Sequence, residues 1–173
     1  MDKEKLELYI SAQEIQSRIK AYGEKITKLY QGTTLHCIGI MNGSLFFFSD
    51  LLRQIDNYIV IDTITVSSYQ GVNSTGEIIF SKAVTKNIED KDVLLIEDLI
   101  DTGKTLSVVI AEIKKLKPKS LRVVCLADKI DCHPDFKYEY EALFDIKDEF
   151  VVGYGFDVDD RYRQLEDIYI YRG

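Results

Sequence analysis

One stretch constrains this chain more than any other: Val93-Leu94-Leu95-Ile96-Glu97-Asp98-Leu99-Ile100-Asp101-Thr102-Gly103-Lys104-Thr105. Four apolar residues fit a buried strand that ends in two adjacent acids. The apolar-periodic segment Leu106 to Leu116 beyond the turn fits a helix. A tight, small-residue turn between a strand and a helix presents backbone N–H groups and a helix N-terminus to an anion, usually a phosphate. The acids beside it suit a different partner, either sugar hydroxyls or a divalent cation with oxygen ligands. Such a loop matches a ligand that carries both a phosphate and a polyol.

Two other readings compete for the same residues. Gly103-Lys104-Thr105 matches the end of the P-loop of nucleotide triphosphatases, but that motif needs a glycine five residues before the Gly-Lys pair. Asp98 stands there, with a stiffer backbone and a negative charge beside a polyphosphate. The second alternative is an ordinary strand-to-helix connection in which Asp101 or Thr102 caps the helix.

Composition narrows the partners. At 173 residues the chain most simply forms one domain, 1–173, large enough to bury a substantial core. Its net charge of −7 argues against a broad basic footprint for nucleic acid or anionic membrane, while a small phosphorylated ligand needs only a few local donors. No apolar stretch is long enough to cross a bilayer, and Met1-Asp2-Lys3-Glu4-Lys5 is not a secretory start. Of three cysteines, Cys37 and Cys125 sit inside apolar runs and read as reduced core thiols. Cys132-His133 lacks the second ligand pair of a zinc site. A cytoplasmic location fits best.

No repeat, low-complexity tract or linker divides the chain. Ser11-Ala12-Gln13-Glu14 is a capping box, and Ile15, Ile19, Tyr22, Ile26 and Leu29 recur at helical spacing behind it. Leu35 to Met41 reads as a buried strand, broken by Asn42-Gly43-Ser44 and followed by an apolar helix from Leu45 to about Ile55. Tyr58 to Val66, Glu77 to Val84, Val93 to Ile96 and Leu121 to Ala127 read as further strands, with short ones at Val151 to Tyr154 and Ile168 to Tyr171. Apolar strands alternating with helices predict an α/β fold whose twisted sheet is mostly parallel and flanked by helices. Ligands of such sheets bind at the strand C-termini, where Met41-Asn42-Gly43, Glu97-Asp98 and Asp128-Lys129 all fall.

From about Leu35 to Gly173 the chain resembles the hypoxanthine-guanine phosphoribosyltransferase family. Leu94 to Thr105 resembles that family's ribose-phosphate loop almost residue for residue. Ser68-Tyr69 stands where the family has a Ser-Tyr pair on a mobile catalytic loop, and Lys129 where it has a purine-contacting lysine. Phe150-Val151-Val152-Gly153-Tyr154, Asp157 and Arg163 match the purine and pyrophosphate segment in spacing. The phosphate loop is shared across several phosphoribosyltransferases; its combination with Lys129, Phe150-Val151 and Asp157 is specific to the 6-oxopurine branch. One departure is visible: Met41-Asn42-Gly43 replaces the Leu-Lys-Gly of many relatives. Asn42 removes a positive charge from a loop whose backbone, often through a cis peptide, faces pyrophosphate in the family. Asn42 and Gly43 then remain as backbone contacts.

The resemblance implies a type I phosphoribosyltransferase fold with a small C-terminal hood over the purine. It implies Mg²⁺-dependent transfer of the 5-phosphoribosyl group from 5-phosphoribosyl-1-pyrophosphate to hypoxanthine or guanine, giving IMP or GMP. Glu97 and Asp98 then serve the ribose hydroxyls, directly or through Mg²⁺. Asp101, Thr102, Gly103, Lys104 and Thr105 hold the 5′-phosphate, although Lys104 also reads as a solvated helix-start lysine. Asp101 is the implied acid–base group near N7 of the purine. Lys129 donates to O6, Phe150 stacks on the base unless it is core, and Val151 offers backbone groups to the base edge. Asp157 belongs to the purine segment and is a further metal ligand, and Arg163 meets pyrophosphate unless it is spent in a surface ion pair. The polar, glycine-bounded Ser68–Gly76 segment with Tyr69 is the expected lid. A homo-oligomer, dimer or tetramer, is the family's habit. A nucleotide-sensing regulator on the same fold is the alternative function, opposed by Lys129, Phe150 and Asp157.

Overall fold

The computed structural model describes residues 3–68 and 78–173. Its strands are β1 (Leu6–Ile10), β2 (Thr34–Met41), β3 (Tyr58–Ser68), β4 (Ile78–Lys82), β5 (Asp92–Ile100), β6 (Ser120–Asp128), β7 (Glu141–Asp145), β8 (Val151–Val152) and β9 (Ile168–Tyr171). Three α-helices accompany them among the described residues: α1 (Ala12–Leu29), α2 (Leu45–Leu52) and α3 (Lys104–Lys115). Six strands form one sheet in the order β4-β3-β2-β5-β6-β7, parallel except for the antiparallel edge strand β4. A separate antiparallel sheet, β1-β9-β8, makes the hood.

Successive side chains of a strand point to opposite faces, and both faces of the large sheet are apolar. Leu94 and Ile96 of β5 pack with Ile15, Ile19 and Ile26 of α1 and Phe47 and Leu51 of α2. Val93 and Leu95 pack with Leu106, Val109, Ile110 and Ile113 of α3. This two-sided burial is why the strands read as continuous apolar runs rather than alternating ones. Ser11 caps α1 as its capping box predicts, its hydroxyl accepting from the Glu14 N–H at 3.3 Å.

The strand order reverses beside β2. From β2 the chain steps outward to β3, then returns on the other side to β5. Such a switch point leaves a crevice outside the C-terminal ends of the two strands. The loop after β2 and the acids of β5 therefore face each other by topology alone.

Several predicted boundaries move. β5 does not end at Ile96 but runs through both acids to Ile100, because β6 accompanies it that far, with Leu99 opposite Ala127 and Ile100 opposite Asp128. α2 stops at Leu52, short of Ile55. Leu29, predicted on the apolar face of α1, is half exposed because it lies in the last turn, beyond the sheet. Two strands carried no prediction: β1, whose partner β9 lies at the other end of the chain, and the edge strand β7. Of the expected Ser68–Gly76 lid, Tyr69 to Gly76 lie outside the described residues, and of Ser68 only the backbone is described, as the end of β3.

Candidate active site

The two acids near the end of β5 lie side by side, their carboxyls close enough to act on one another. Glu97 is buried, opposite Cys125 of β6. Burial, and then the neighbouring Asp98 charge, hold its carboxyl well above the usual range. The same burial, with Glu97 and Asp98 nearby, pushes the Cys125 thiol up and keeps it inert. Asp98 meets the loop after β2 at Gly43. Glu97 and Asp98 each accept one N–H of the following residue, at 3.0 and 2.9 Å, which fixes the backbone and leaves further lone pairs for a ligand.

Gly43 makes that meeting possible. A Cβ at position 43 would lie 2.6 Å from Asp98 Cγ and overlap a carboxylate oxygen. On its other side the Gly43 carbonyl is packed against Gly155 of the hood so closely that a Cβ at 155 would overlap the Gly43 oxygen. The Met41–Asn42 peptide bond is cis. The Arg163 guanidinium donates to the Gly155 carbonyl at 2.7 Å and pairs with Asp157 at 2.8 Å. Asn42-Gly43, Asp98, Gly155, Asp157 and Arg163 are thus linked into one wall of the crevice.

The turn after β5 forms the other wall. Gly103 is the N-cap of α3, in the left-handed region at φ 69°, and no side chain caps the first turn. The capping role considered for Asp101 or Thr102 is therefore not what these residues do. Both are exposed, and the N–H groups that open the helix are left for a ligand. The first intrahelical bond is Ser107 N–H to the Gly103 carbonyl, 2.9 Å. Lys104 is exposed at the helix start, and Thr105 is half-buried.

Lys129 follows β6 and is buried, tied by its N–H to the Ile100 carbonyl at 3.0 Å. Its ammonium pairs with Asp148 at 3.0 Å, and that pairing holds the Asp148 carboxyl below its ordinary range. Oxygens of Asp101 and Asp148 and the Cys132 sulfur lie within 4.8 Å of one another. Asp148 therefore joins Lys129 to Asp101. No local sequence signal marks it, since 19 residues separate it from Lys129. Two residues on, Phe150 is 54% exposed and packs against Tyr171 at 6.1 Å, so its ring is free to stack rather than spent in the core. Val151 is buried as β8 pairs with β9.

The phosphoribosyl transferase domain model matches residues 8–159. A hypoxanthine-guanine phosphoribosyltransferase of Staphylococcus aureus (strain Mu50) is 43% identical over 163 residues, covering 92% of this chain and 89% of the relative. The chain belongs to the hypoxanthine-guanine phosphoribosyltransferase family. The Bacillus subtilis (strain 168) relative of the same name is 40% identical over 158 residues, covering 90% of this chain and 87% of its own. A crystal structure of a hypoxanthine phosphoribosyltransferase from Staphylococcus aureus superposes with a TM-score of 0.90 at 42% identity, covering 97% of this chain and 92% of that one. The fold is accordingly that of the type I phosphoribosyltransferases.

The donor set is all carboxylate oxygen at Glu97, Asp98 and Asp157, which suits a hard cation such as Mg²⁺. The three do not form one cage, for Asp157 stands apart from the Glu97-Asp98 pair and is engaged by Arg163.

Proposed function

We propose that this chain is a purine salvage enzyme of one domain, 1–173, that moves the 5-phosphoribosyl group from 5-phosphoribosyl-1-pyrophosphate to hypoxanthine or guanine. The observation that carries this reading is the uncapped first turn of α3 beside the Glu97-Asp98 pair. That turn offers N–H groups to the 5′-phosphate, assisted by the Thr102 and Thr105 hydroxyls and the Lys104 charge. Glu97 and Asp98 hold the ribose hydroxyls. Asn42 and Gly43 face pyrophosphate, and Arg163 reaches it by exchanging its pairing with Asp157 and Asp160 for the pyrophosphate oxygens, which its fork matches.

In the reaction the bond from ribose C1 to the pyrophosphate oxygen breaks, its electron pair leaving with pyrophosphate. N9 of the purine forms the new bond to C1. The purine ring proton passes to the Asp101 carboxylate at N7, making N9 the better nucleophile. Lys129 donates to O6, which favours 6-oxopurines over adenine, whose amino group would put donor against donor. Phe150 stacks on the base, and Val151 and Asp157 edge it. Mg²⁺ would neutralise charge on the polyphosphate, with Glu97 and Asp98 able to supply oxygen ligands at one position and Asp157 at a separate one.

A homo-oligomer, dimer or tetramer, follows from the family resemblance and is checked by light scattering. The cytoplasmic reading rests on three cysteines free of disulfides; no helix among the described residues is long and apolar enough to cross a membrane. The functional test mixes each purine with phosphoribosyl pyrophosphate and Mg²⁺, with and without chelator. Chelator-sensitive formation of IMP or GMP is expected. Formation of neither by folded protein refutes the reading.

A further inference from the structure

Behind the turn that opens α3 lies a buried polar cluster that the reaction does not use. Asp128, the last residue of β6, and His133 are both almost fully buried, their side chains 3% and 4% exposed. His133 Nε2 lies 2.5 Å from Asp128 Oδ1, and the Tyr140 hydroxyl donates to Asp128 Oδ2 at 2.7 Å. Burial, and then the Asp128 contact, push the Tyr140 hydroxyl well above its ordinary pKa, so it stays a donor. A carboxylate, an imidazole and a phenol hydroxyl thus satisfy one another in a place where an unpaired carboxylate would be costly. Such a network specifies one arrangement of the segment that carries it.

That segment reaches the active site through a ring. Phe136 packs edge-on against His133 (5.8 Å, 77°) and Tyr140 (5.3 Å, 79°). Its N–H donates to the His133 carbonyl at 3.0 Å. On the far side the ring lies under Gly103, so near that a Cβ there would come within 2.7 Å of Phe136 Cδ2. Gly103 is the left-handed N-cap whose carbonyl begins α3. A shift of the ring would move the N–H groups that face the phosphate.

We propose that Asp128 and His133 are positioning residues for the 5′-phosphate turn, acting through Phe136 on Gly103. This rests on the functional reading above and deepens it. The base subsite has anchors of its own, since Lys129 is held by the Ile100 carbonyl and by Asp148. Loosening the network should therefore weaken phosphoribosyl pyrophosphate and leave the base nearly untouched.

The test compares His133→Ala, the conservative His133→Gln and Phe136→Leu with the parent enzyme, reading KM for each substrate and amide hydrogen exchange across 101–107. His133→Ala should raise KM for phosphoribosyl pyrophosphate roughly 10- to 100-fold, the scale of a misplaced binding group. KM for hypoxanthine should change less than about twofold, as expected when the base contacts are untouched. Exchange at Gly103 to Leu106 should quicken, and His133→Gln, which can still donate to Asp128, should restore most of both. Phe136→Leu keeps the buried pair and should reproduce the effect if His133→Ala does not fold. Variants that melt earlier yet keep both KM values and the exchange of the turn overturn the proposal. Should the parent enzyme not use phosphoribosyl pyrophosphate at all, the functional reading fails, while faster exchange in His133→Ala would still uphold the link from His133 to the turn.

Discussion

Gly43→Ala should cripple the enzyme by displacing a neighbour rather than by losing a contact of its own. A methyl group at position 43 has no room, for it would lie 2.6 Å from Asp98 Cγ. The loop cannot retreat, since its Gly43 carbonyl is already against Gly155. The Asp98 carboxylate is the one movable part and must swing away from the crevice. If Asp98 holds a ribose hydroxyl, this forfeits a charge-assisted hydrogen bond of about 1.5–3 kcal/mol, roughly a 10- to 150-fold loss in kcat/KM. The assay is kcat/KM for phosphoribosyl pyrophosphate at saturating hypoxanthine, with circular dichroism to show the fold intact. The decisive arm repeats the substitution in an Asp98→Ala background, where the colliding atoms are gone and Gly43→Ala should cost little. An undiminished loss in that background would refute the reasoning, as would near-normal activity of the single variant.

Asp101→Asn should lower turnover by roughly 10²–10⁴-fold with phosphoribosyl pyrophosphate binding and melting temperature nearly unchanged; its side chain is exposed and caps nothing. Near-normal turnover would remove it as the acid–base group. Adenine should be a far poorer substrate than hypoxanthine, and Lys129→Gln, which can accept as well as donate, should narrow the gap in kcat/KM. Buried His36 carries an unpartnered Nδ1, and burial, then the Lys91 charge, hold its pKa below the ordinary value. The unfolded chain then binds the extra proton, so this contribution is complete above about pH 6.5 and is lost as pH falls below it. Urea unfolding from pH 7.5 to 5 should show His36→Val gaining on the parent protein as pH drops; a constant difference would refute the assignment.

What the sequence disclosed was local. The capping box of α1, the acids of β5 and the turn through Thr105 are contiguous signals, and each element formed near its predicted place. Non-local pairings stayed hidden. Leu6 to Ile10 becomes a strand only because Ile168 to Tyr171 lies beside it, and Asp148 matters only because Lys129 turns toward it. Phe136 belongs to no motif, yet its ring lies against Gly103. Phe150 read from its residue type alone as core, and the exposure that frees it for stacking is set by the hood.

Which backbone receives the phosphate is the central point, and a crystal structure of the enzyme with GMP reads it directly. The 5′-phosphate should sit on the N–H groups of residues 101–105, with the ribose hydroxyls on Glu97 and Asp98 and the guanine O6 on Lys129. A nucleotide bound with its phosphate elsewhere, and the opening turn of α3 facing only water, would contradict it.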